Sequence, residues 1–380
     1  MAGVFFSCAF RDFRIISFLS PQDIFLLISF FPLYFGRSNS FKGSKLYFYL
    51  ISAIFLFFLL ILNSLLVSEN STESIFNYLK VFVAFVILPL VIRIYVQDFI
   101  EIYFLLHAYL FGALISCGVT LFLKLGESNS GRASGFTGHP VFFGIMIATC
   151  IMIALTMGYR TPKRRILNFI YIAFLLYSLS LSASSTGLVI ILTGTGALLI
   201  LNLLQGKILT SIASALSVVL IGILIWNADF FDYTRSRLLV SLNPQAGFNT
   251  SGASGTSTLE ARVISVKYAW ERIKESPLFG HGLDALGRQT SINLEPHNMI
   301  VLAWQAGGIV LLVLSVTFLA ISIKYFIFAV RKRLALGIVV ILATWLGLMT
   351  QPLIYERSVL APLFLVFVAL NLLKVENTKT

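Results

Sequence analysis

The sequence predicts an all-α fold, a polytopic membrane protein with about eleven or twelve transmembrane helices and one large external loop that carries an amphipathic helix. Of its 380 residues, 58 % are hydrophobic and only 12 % are charged. Soluble domains carry about 25 % charged residues, so a soluble globular enzyme is excluded. The apolar stretches are long and rich in Phe, Leu and Ile, without the strict alternation that transmembrane β-barrels show.

Eleven apolar segments account for most of the predicted helices. Residues 1–20 are semi-apolar but are interrupted by Arg11, Asp12 and Arg14, so we interpret them as an interfacial or partial segment. The first of the eleven segments is short and contains Pro32. The segments lie at about 24–35, 46–67, 78–96, 102–124, 140–158, 166–182, 187–204, 209–226, 299–328, 334–350 and 358–373.

Clusters of Lys and Arg in short loops predict the orientation, because such loops stay in the cytoplasm. The loops at 160–165 and 331–333 carry the clearest clusters. Counting helices outward from them places the C-terminus in the cytoplasm and the long 227–297 loop outside. The net charge of +12 therefore reflects topology, and we expect no nucleic-acid partner, because no soluble unit with a basic face is predicted.

The chain divides into three predicted parts: an N-terminal transmembrane bundle at 1–226, the loop at 227–297 and the C-terminal transmembrane helices at 298–380. The loop contains a predicted amphipathic helix at 258–275. A capping-box pattern, Ser257-x-x-Glu260, starts this helix, and Pro277 and Gly280 follow its end. Its apolar stripe, expected to lie on the outer membrane surface or against the bundle, comprises Leu259, Val263, Val266, Trp270 and Ile273.

Charged and polar residues at the external membrane edge are the candidates for function, because charges there are costly to retain. They fall into three clusters: the stretch 131–140, the start of the loop helix with the turn after it, and the entry to the segment at 299. The candidates are Arg132, His139, Arg262, His281, Glu295, His297 and Asn298.

Each of these candidates also has a structural interpretation. Arg132 could anchor a helix by extending to the headgroups, and Arg262 could be a solvated charge on a helical face. His297 could cap a helix, while His139 and His281 lie among glycines, where a structural role is the more common one.

The motifs that the chain lacks reduce the number of reaction types that it could catalyse. There is no phosphate-binding loop, no dinucleotide fingerprint and no His-Glu-x-x-His. The three cysteines, Cys8, Cys117 and Cys150, are scattered in apolar surroundings and indicate neither disulfides nor zinc. We therefore expect no metal and no cofactor. A site built here would use cations to hold an anion and a histidine to transfer a proton.

The order of these motifs resembles the bacterial O-antigen ligase/polymerase family. The shared elements are Arg262, Trp270, the turn Pro277–Gly282 and the pair His297-Asn298 with a glycine eleven residues after the histidine, Gly308. The stretch Arg132-x-x-Gly135, with Pro140 and Gly144, also resembles the family's motif before the fifth span. One departure is Ser184-Ser185-Thr186-Gly187, where many members have Ser-Arg-Gly.

The resemblance implies an inverting glycosyltransferase of the bacterial inner membrane whose active site faces the periplasm. Its donor would be an oligosaccharide linked to undecaprenyl pyrophosphate, and its acceptor the hydroxyl of another glycan, without a metal or a cofactor. We assign Arg132 and Arg262 to the pyrophosphate and His297 to the proton of the acceptor, with His139, His281, Glu295 and Asn298 as supporting residues. The lipid bilayer and a chain-length regulator protein are further expected partners.

Three functions are open at this point. A polymerase joins one lipid-linked repeat to another, a ligase moves finished chains to lipid A–core, and both use the same donor chemistry. We favour the polymerase slightly, because this chain shows no additional ligase-like arginine. The third function, a flippase or transporter of lipid-linked glycans, would predict inverted repeats and charges near the bilayer midplane, and the sequence shows no such repeat.

Overall fold

A computed structural model describes residues 1–10, 20–35, 44–68, 70–123, 132–157, 161–207, 212, 258–284, 296–351 and 356–376. Within these ranges most residues are helical and no β-strand occurs, which confirms the predicted all-α class. The helices are α1 Ala2–Phe6, α2 Pro21–Phe35, α3 Ser44–Val67, α4 Ser71–Phe82, α5 Leu88–Tyr95, α6 Phe99–Leu123, α7 Pro140–Thr156, α8 Pro162–Ser182, α9 Ser185–Leu204, α10 Thr258–Glu275, α11 Met299–Arg331, α12 Ala335–Thr350 and α13 Arg357–Glu376.

Ten of the eleven predicted apolar segments coincide with a described helix, and the segment at 209–226 lies outside the described residues apart from Ile212. Among the described residues, six helices are long and apolar enough to cross a bilayer; one of them joins α4 and α5 through a π-helical turn, Val83–Ile87. Three further apolar stretches are shorter: Ser52–Val67, Pro140–Thr156 and Ala335–Thr350. The chain is thus a polytopic helical membrane protein.

Helix α7 forms the centre of the bundle and is apolar on every face, as expected of a helix enclosed by others. It packs against α8, α9 and α12, and nearly all its side chains are buried. Two glycines permit the close approach. A Cβ on Gly144 would lie 2.2 Å from the Cβ of Ser184, and one on Gly187 would lie 2.8 Å from the carbonyl oxygen of Gly144.

Residues 1–10 of the N-terminal segment pack against the bundle, and residues 11–19 lie outside the described part of the structure. Helix α1 and the 3-10 turn Ser7–Ala9 pack against α6, and Val4 and Phe5 are fully buried. The fit depends on Gly112, where a Cβ would lie 2.0 Å from the carbonyl oxygen of Phe6. With five residues, α1 is far shorter than the about 20 residues that a crossing requires.

Side-chain contacts between loops order the two ends of the bundle. At one end, which we call the histidine end after His297, Arg357 pairs with Asp23 and Asn77 bonds the loop at Leu283. At the opposite end Gln205 donates to the carbonyl of Arg333 at 3.4 Å. These pairings agree with the alternation of loops that the sequence predicts. That the histidine end faces the periplasm is a prediction from the distribution of Lys and Arg.

The loop helix α10 has the bounds that the sequence predicts, Thr258–Glu275, but a different face packs on the bundle. The buried residues are Ser265, Ala269 and Ile273, at a spacing of four. Among the stripe residues whose side chains the structure describes, only Ile273 is buried, whereas Val263 and Trp270 are 61 % and 46 % exposed. Small side chains let α10 approach α11 closely, and this packing decides which face is buried.

Helix α11 is broken near its first third. Within its 33 residues, Gly307 and Gly308 have non-helical backbone angles, and Gly308 has a φ of +57°. One helical piece precedes this break and the other follows it directly in the sequence. A Cβ on Gly308 would lie 2.1 Å from the carbonyl oxygen of Leu278 in the external loop. The break therefore requires glycine for its backbone angles and for the close approach of the loop.

Replacing Gly308 by Ala is expected to destabilise the protein by more than about 1–3 kcal/mol, because the left-handed backbone alone costs about that much and the loop must also move. Thermal unfolding of the purified protein in detergent measures this. Gly196→Ala is the matched control, since a Cβ there meets no atom within 4 Å and alanine favours a helix. Equal melting temperatures for the Gly308 variant and the unmodified protein would contradict the assignment.

Candidate functional site

The turn after α10 docks into the break of α11 and replaces the hydrogen bonds that the helix loses there. The N–H groups of His281 and Gly282 donate to the carbonyls of Gln305 and Ala306 at 2.9 and 2.8 Å. In return the N–H of Ile309 donates to the carbonyl of Leu278 at 3.2 Å. Backbone groups freed at membrane depth must find partners within the protein, so the turn and the break form one unit.

Two aromatic side chains reinforce this unit. The Tyr78 hydroxyl of α4 donates to the carbonyl of Ala306 at 3.0 Å, inside the core. The Trp304 indole of α11 donates to the carbonyl of Pro277 at 3.1 Å. Its ring meets that of Trp270 on α10 edge to face, with centroids 5.5 Å apart. The loop helix, the turn and α11 are thereby held in a defined arrangement.

Polar side chains at the junction of α3 and α4 fasten the other side of the turn. Asn63 donates to the carbonyl of Phe279, and Asn77 donates to the carbonyl of Leu283 at 3.1 Å. The N–H of Leu283 donates to the Ser74 hydroxyl at 2.9 Å. These residues are not among the candidates predicted from the sequence. The feature that could have indicated them is amide side chains in or beside long apolar segments, where a polar group is costly unless it has a functional or structural role.

His297 lies two residues before the start of α11. Its side chain is half-buried, and its Nδ1 is shielded from solvent. The next residue, Asn298, caps α11: its side-chain oxygen accepts from the N–H groups of Ile300 and Val301 at 2.9 and 3.2 Å. The cap fixes the backbone beside His297, and Asn298 therefore helps to hold His297 in position.

His281 fastens the turn to the loop helix. Its Nε2 lies 2.7 Å from the carbonyl oxygen of Arg272, and because a carbonyl only accepts, Nε2 carries the hydrogen. The same nitrogen is 3.9 Å from a carboxylate oxygen of Glu275. Its backbone bonds Gln305, eight residues after His297, which corresponds to about 12 Å along a helix. His281 thus holds the loop in place at a distance from His297.

Arg132 is buried and binds the backbone at the end of α8. Its Nε donates to the carbonyl of Ser182 at 2.9 Å and its Nη2 to the carbonyl of Ala183 at 3.1 Å. These carbonyls belong to a helix C-terminus, where a positive charge is favourable. Only 8 % of Arg132 is exposed, so it does not extend to the headgroups. It shapes the turn between α8 and α9.

His139 is exposed and caps α7, with its Nδ1 accepting from the N–H of Val141 at 3.3 Å. Arg262 belongs to α10, but its side chain lies outside the described part of the structure, as does the whole of Glu295. The structure thus forms two groups of candidates at the histidine end: His281, His297 and Asn298 along α11, and Arg132 with His139 around α7. Helix α12 lies between them, because it packs on both α7 and α11.

An apolar cavity of about 590 Å³ extends through the bundle from the histidine end. It is lined by α3, the α4–α5 helix, α11 and α13. Tyr78 and Met299 line one part of it, and Arg93 and Asn371 line the part toward the opposite end. Within the described ranges no group of three His, Cys, Asp or Glu side chains could hold a metal ion.

The fold and this end of the bundle define a polytopic membrane protein in which the turn after α10 docks into a broken helix. Residues 170–316 match the family Wzy_C, described as O-antigen ligase, and this match confirms the predicted resemblance to the O-antigen ligase/polymerase family. The matched region runs from α8 to α11 and contains α10, the docked turn, His297 and the break. Members of this family are glycosyltransferase-like membrane enzymes. A search of curated proteins finds no match.

Replacing Arg132 by Ala is expected to lower the melting temperature by several degrees, because two carbonyls at the buried end of α8 lose charge-assisted hydrogen bonds. Arg132→Lys is expected to recover only part of the loss, since an ammonium lacks the planar fork. The surface variant Arg164→Ala, in the first turn of α8, is the control. An unchanged melting temperature together with a raised KM for the lipid-linked donor would indicate direct pyrophosphate contact instead.

Proposed function

We propose that this protein transfers a glycan from undecaprenyl pyrophosphate to a hydroxyl group of an acceptor sugar on the periplasmic side, as a polymerase of O-antigen or another surface polysaccharide. The observation that carries this proposal is the family match over the docked loop and His297. That match covers the part of the chain that contains the docked turn, His297 and the helix break, and members of the family are glycosyltransferase-like enzymes.

His297 is the residue that we assign to proton transfer. The acceptor hydroxyl oxygen forms a bond to the anomeric carbon of the donor, and the proton of that hydroxyl passes to the imidazole. The bond from the anomeric carbon to pyrophosphate breaks on the opposite face, with inversion, and its electron pair stays on the pyrophosphate. An imidazole suits this step because it exchanges protons near neutral pH.

Arginine is the side chain best suited to the pyrophosphate, because its planar guanidinium can bind two phosphate oxygens at once. We assign this contact to Arg262, in the first two turns of α10. Arg132, for which the sequence also predicts phosphate contact, has two donors engaged with the end of α8. We therefore propose that Arg132 acts chiefly by fixing the turn between α8 and α9.

The apolar cavity supports a donor that carries a long hydrocarbon chain. From Tyr78 to Arg93 its lining spans fifteen residues of the α4–α5 helix, about 22 Å. A polyprenyl chain placed there would bring its pyrophosphate to the histidine end, next to Met299 and His297. Such a donor is already activated, so its pyrophosphate can leave without a nucleotide or a metal.

A ligase that moves finished chains to lipid A–core is the second candidate, and the description of the matched family as O-antigen ligase favours it. Both reactions use the same donor and the same bond exchange, so the residues above keep their roles in either. The two differ in the acceptor, and the experiment that separates them must identify the product that accumulates.

A strain that lacks this protein is expected to carry lipid A–core capped with a single glycan repeat, because polymerisation fails while attachment continues. Gel analysis of the surface glycan, together with extraction of lipid-linked intermediates, measures this. Long polymer that stays lipid-linked would identify a ligase. Accumulation of single lipid-linked repeats on the cytoplasmic side would contradict both proposals and indicate a flippase.

Replacing His297 by Ala is expected to reduce glycan transfer at least about 100-fold, the usual contribution of a positioned general base. The amount of protein in the membrane should not change. His107→Ala is the matched control, because His107 is exposed on α6 and its ring bonds only the carbonyl of Tyr103 one turn earlier. Unchanged product in the His297 variant, at equal protein levels, would refute the assignment.

A further inference from the structure

A buried carboxylate lies where the external loop meets the end of α3. Asp284 is only 6 % exposed. One of its oxygens, Oδ2, accepts from the N–H of Asn70, at the start of α4. The other, Oδ1, is buried and has no hydrogen-bond partner, and none of the ion pairs among the described residues involves Asp284. A buried charge without compensation is strongly unfavourable.

The end of α3, from which Ser68 comes close to this carboxylate, offers further oxygens. Ser64 and Ser68 are four residues apart near the end of α3, so they share one face of the chain. The hydroxyl oxygens of both are buried, and neither has a hydrogen-bond partner in the described part of the structure. Three oxygen atoms, one from Asp284 and two from the serines at the end of α3, are thus shielded from water and accept no hydrogen bond from the described residues.

Gly282 shows that two of these oxygens face the same space. A Cβ built on Gly282 would lie 2.8 Å from Oδ1 of Asp284 and 2.9 Å from the hydroxyl oxygen of Ser68. Gly282 has a φ of +85°, a conformation that suits glycine and keeps this space open. The two oxygens border one small volume and are not bonded to each other.

We propose that this volume binds a sodium ion. Its walls include the Asp284 carboxylate and the Ser68 hydroxyl, hard oxygen ligands of the kind that alkali and alkaline-earth cations prefer. A single negative charge balances a monovalent ion and would leave a divalent one with excess charge in a buried site. The site lies just beyond Val67, the last residue of α3, and the negative end of a helix dipole attracts cations. Helix C-terminal ends coordinate sodium in membrane transporters in the same way.

The bound ion would join the α3–α4 junction to the docked turn, beside the contacts that Asn63 and Asn77 make. Its role would be structural. It takes no part in the glycosyl transfer proposed above, which stays independent of metal ions. The two proposals can therefore fail separately.

Thermal unfolding in detergent, with sodium chloride or choline chloride at equal ionic strength, tests the site. We expect the melting temperature to rise with sodium concentration, by about 3 °C when sodium reaches ten times its Kd. Asp284→Asn should abolish the sodium effect, and Ser68→Ala, a milder change, should raise the Kd severalfold. Glu271→Gln is the control, because this exposed carboxylate pairs only with Lys274 and its loss should leave the sodium effect unchanged.

Identical melting curves in sodium and choline would overturn the proposal. A sodium effect that persists undiminished in both Asp284→Asn and Ser68→Ala would do the same, because the ion would then bind elsewhere. Calcium chloride provides a further test: stabilisation by calcium without any by sodium would refute a monovalent site. If Asp284→Asn does not fold, the Ser68→Ala titration decides alone.

Discussion

The exchange of backbone hydrogen bonds between the loop and the broken helix holds the histidine end together. A helix interrupted within a membrane leaves carbonyl and N–H groups that neither water nor lipid can satisfy. Here the turn at 277–282 supplies matching groups, and Tyr78 adds a further donor. The orientation of α10, the position of the turn and the entry of α11 at His297 all follow from that exchange. The described part of the loop, 258–284, thus packs on the transmembrane bundle.

Local patterns in the sequence are sufficient to predict the helices but not the contacts between them. The bounds of α10 follow from a capping pattern and from Pro277 and Gly280, which act within a few residues. The break at Gly307 and Gly308 could not be predicted in the same way, because a glycine pair in an apolar segment is compatible with a continuous helix. Only the partner turn, about 28 residues earlier, makes the broken form favourable.

The candidate residues show a similar division. Polar side chains next to helix ends can either bind a substrate or bond the backbone groups that helix termini leave without partners. Arg132, His139 and Asn298 stand at such ends, and the structure shows all three bonded to backbone. Residue type and spacing selected candidates that the structure places at one end of the bundle. They could not separate residues that bind substrate from residues that hold the scaffold, since both kinds favour the same positions.

The interlocked loop also has a consequence for biosynthesis. The turn leaves the ribosome before α11 has been made, whereas α3 and α4 are already in the membrane. During that interval the carbonyl of Leu278 lacks the N–H that it later bonds on Ile309. The turn can thus reach its final form only after α11 has been made, and this exchange of hydrogen bonds marks the docking of α11.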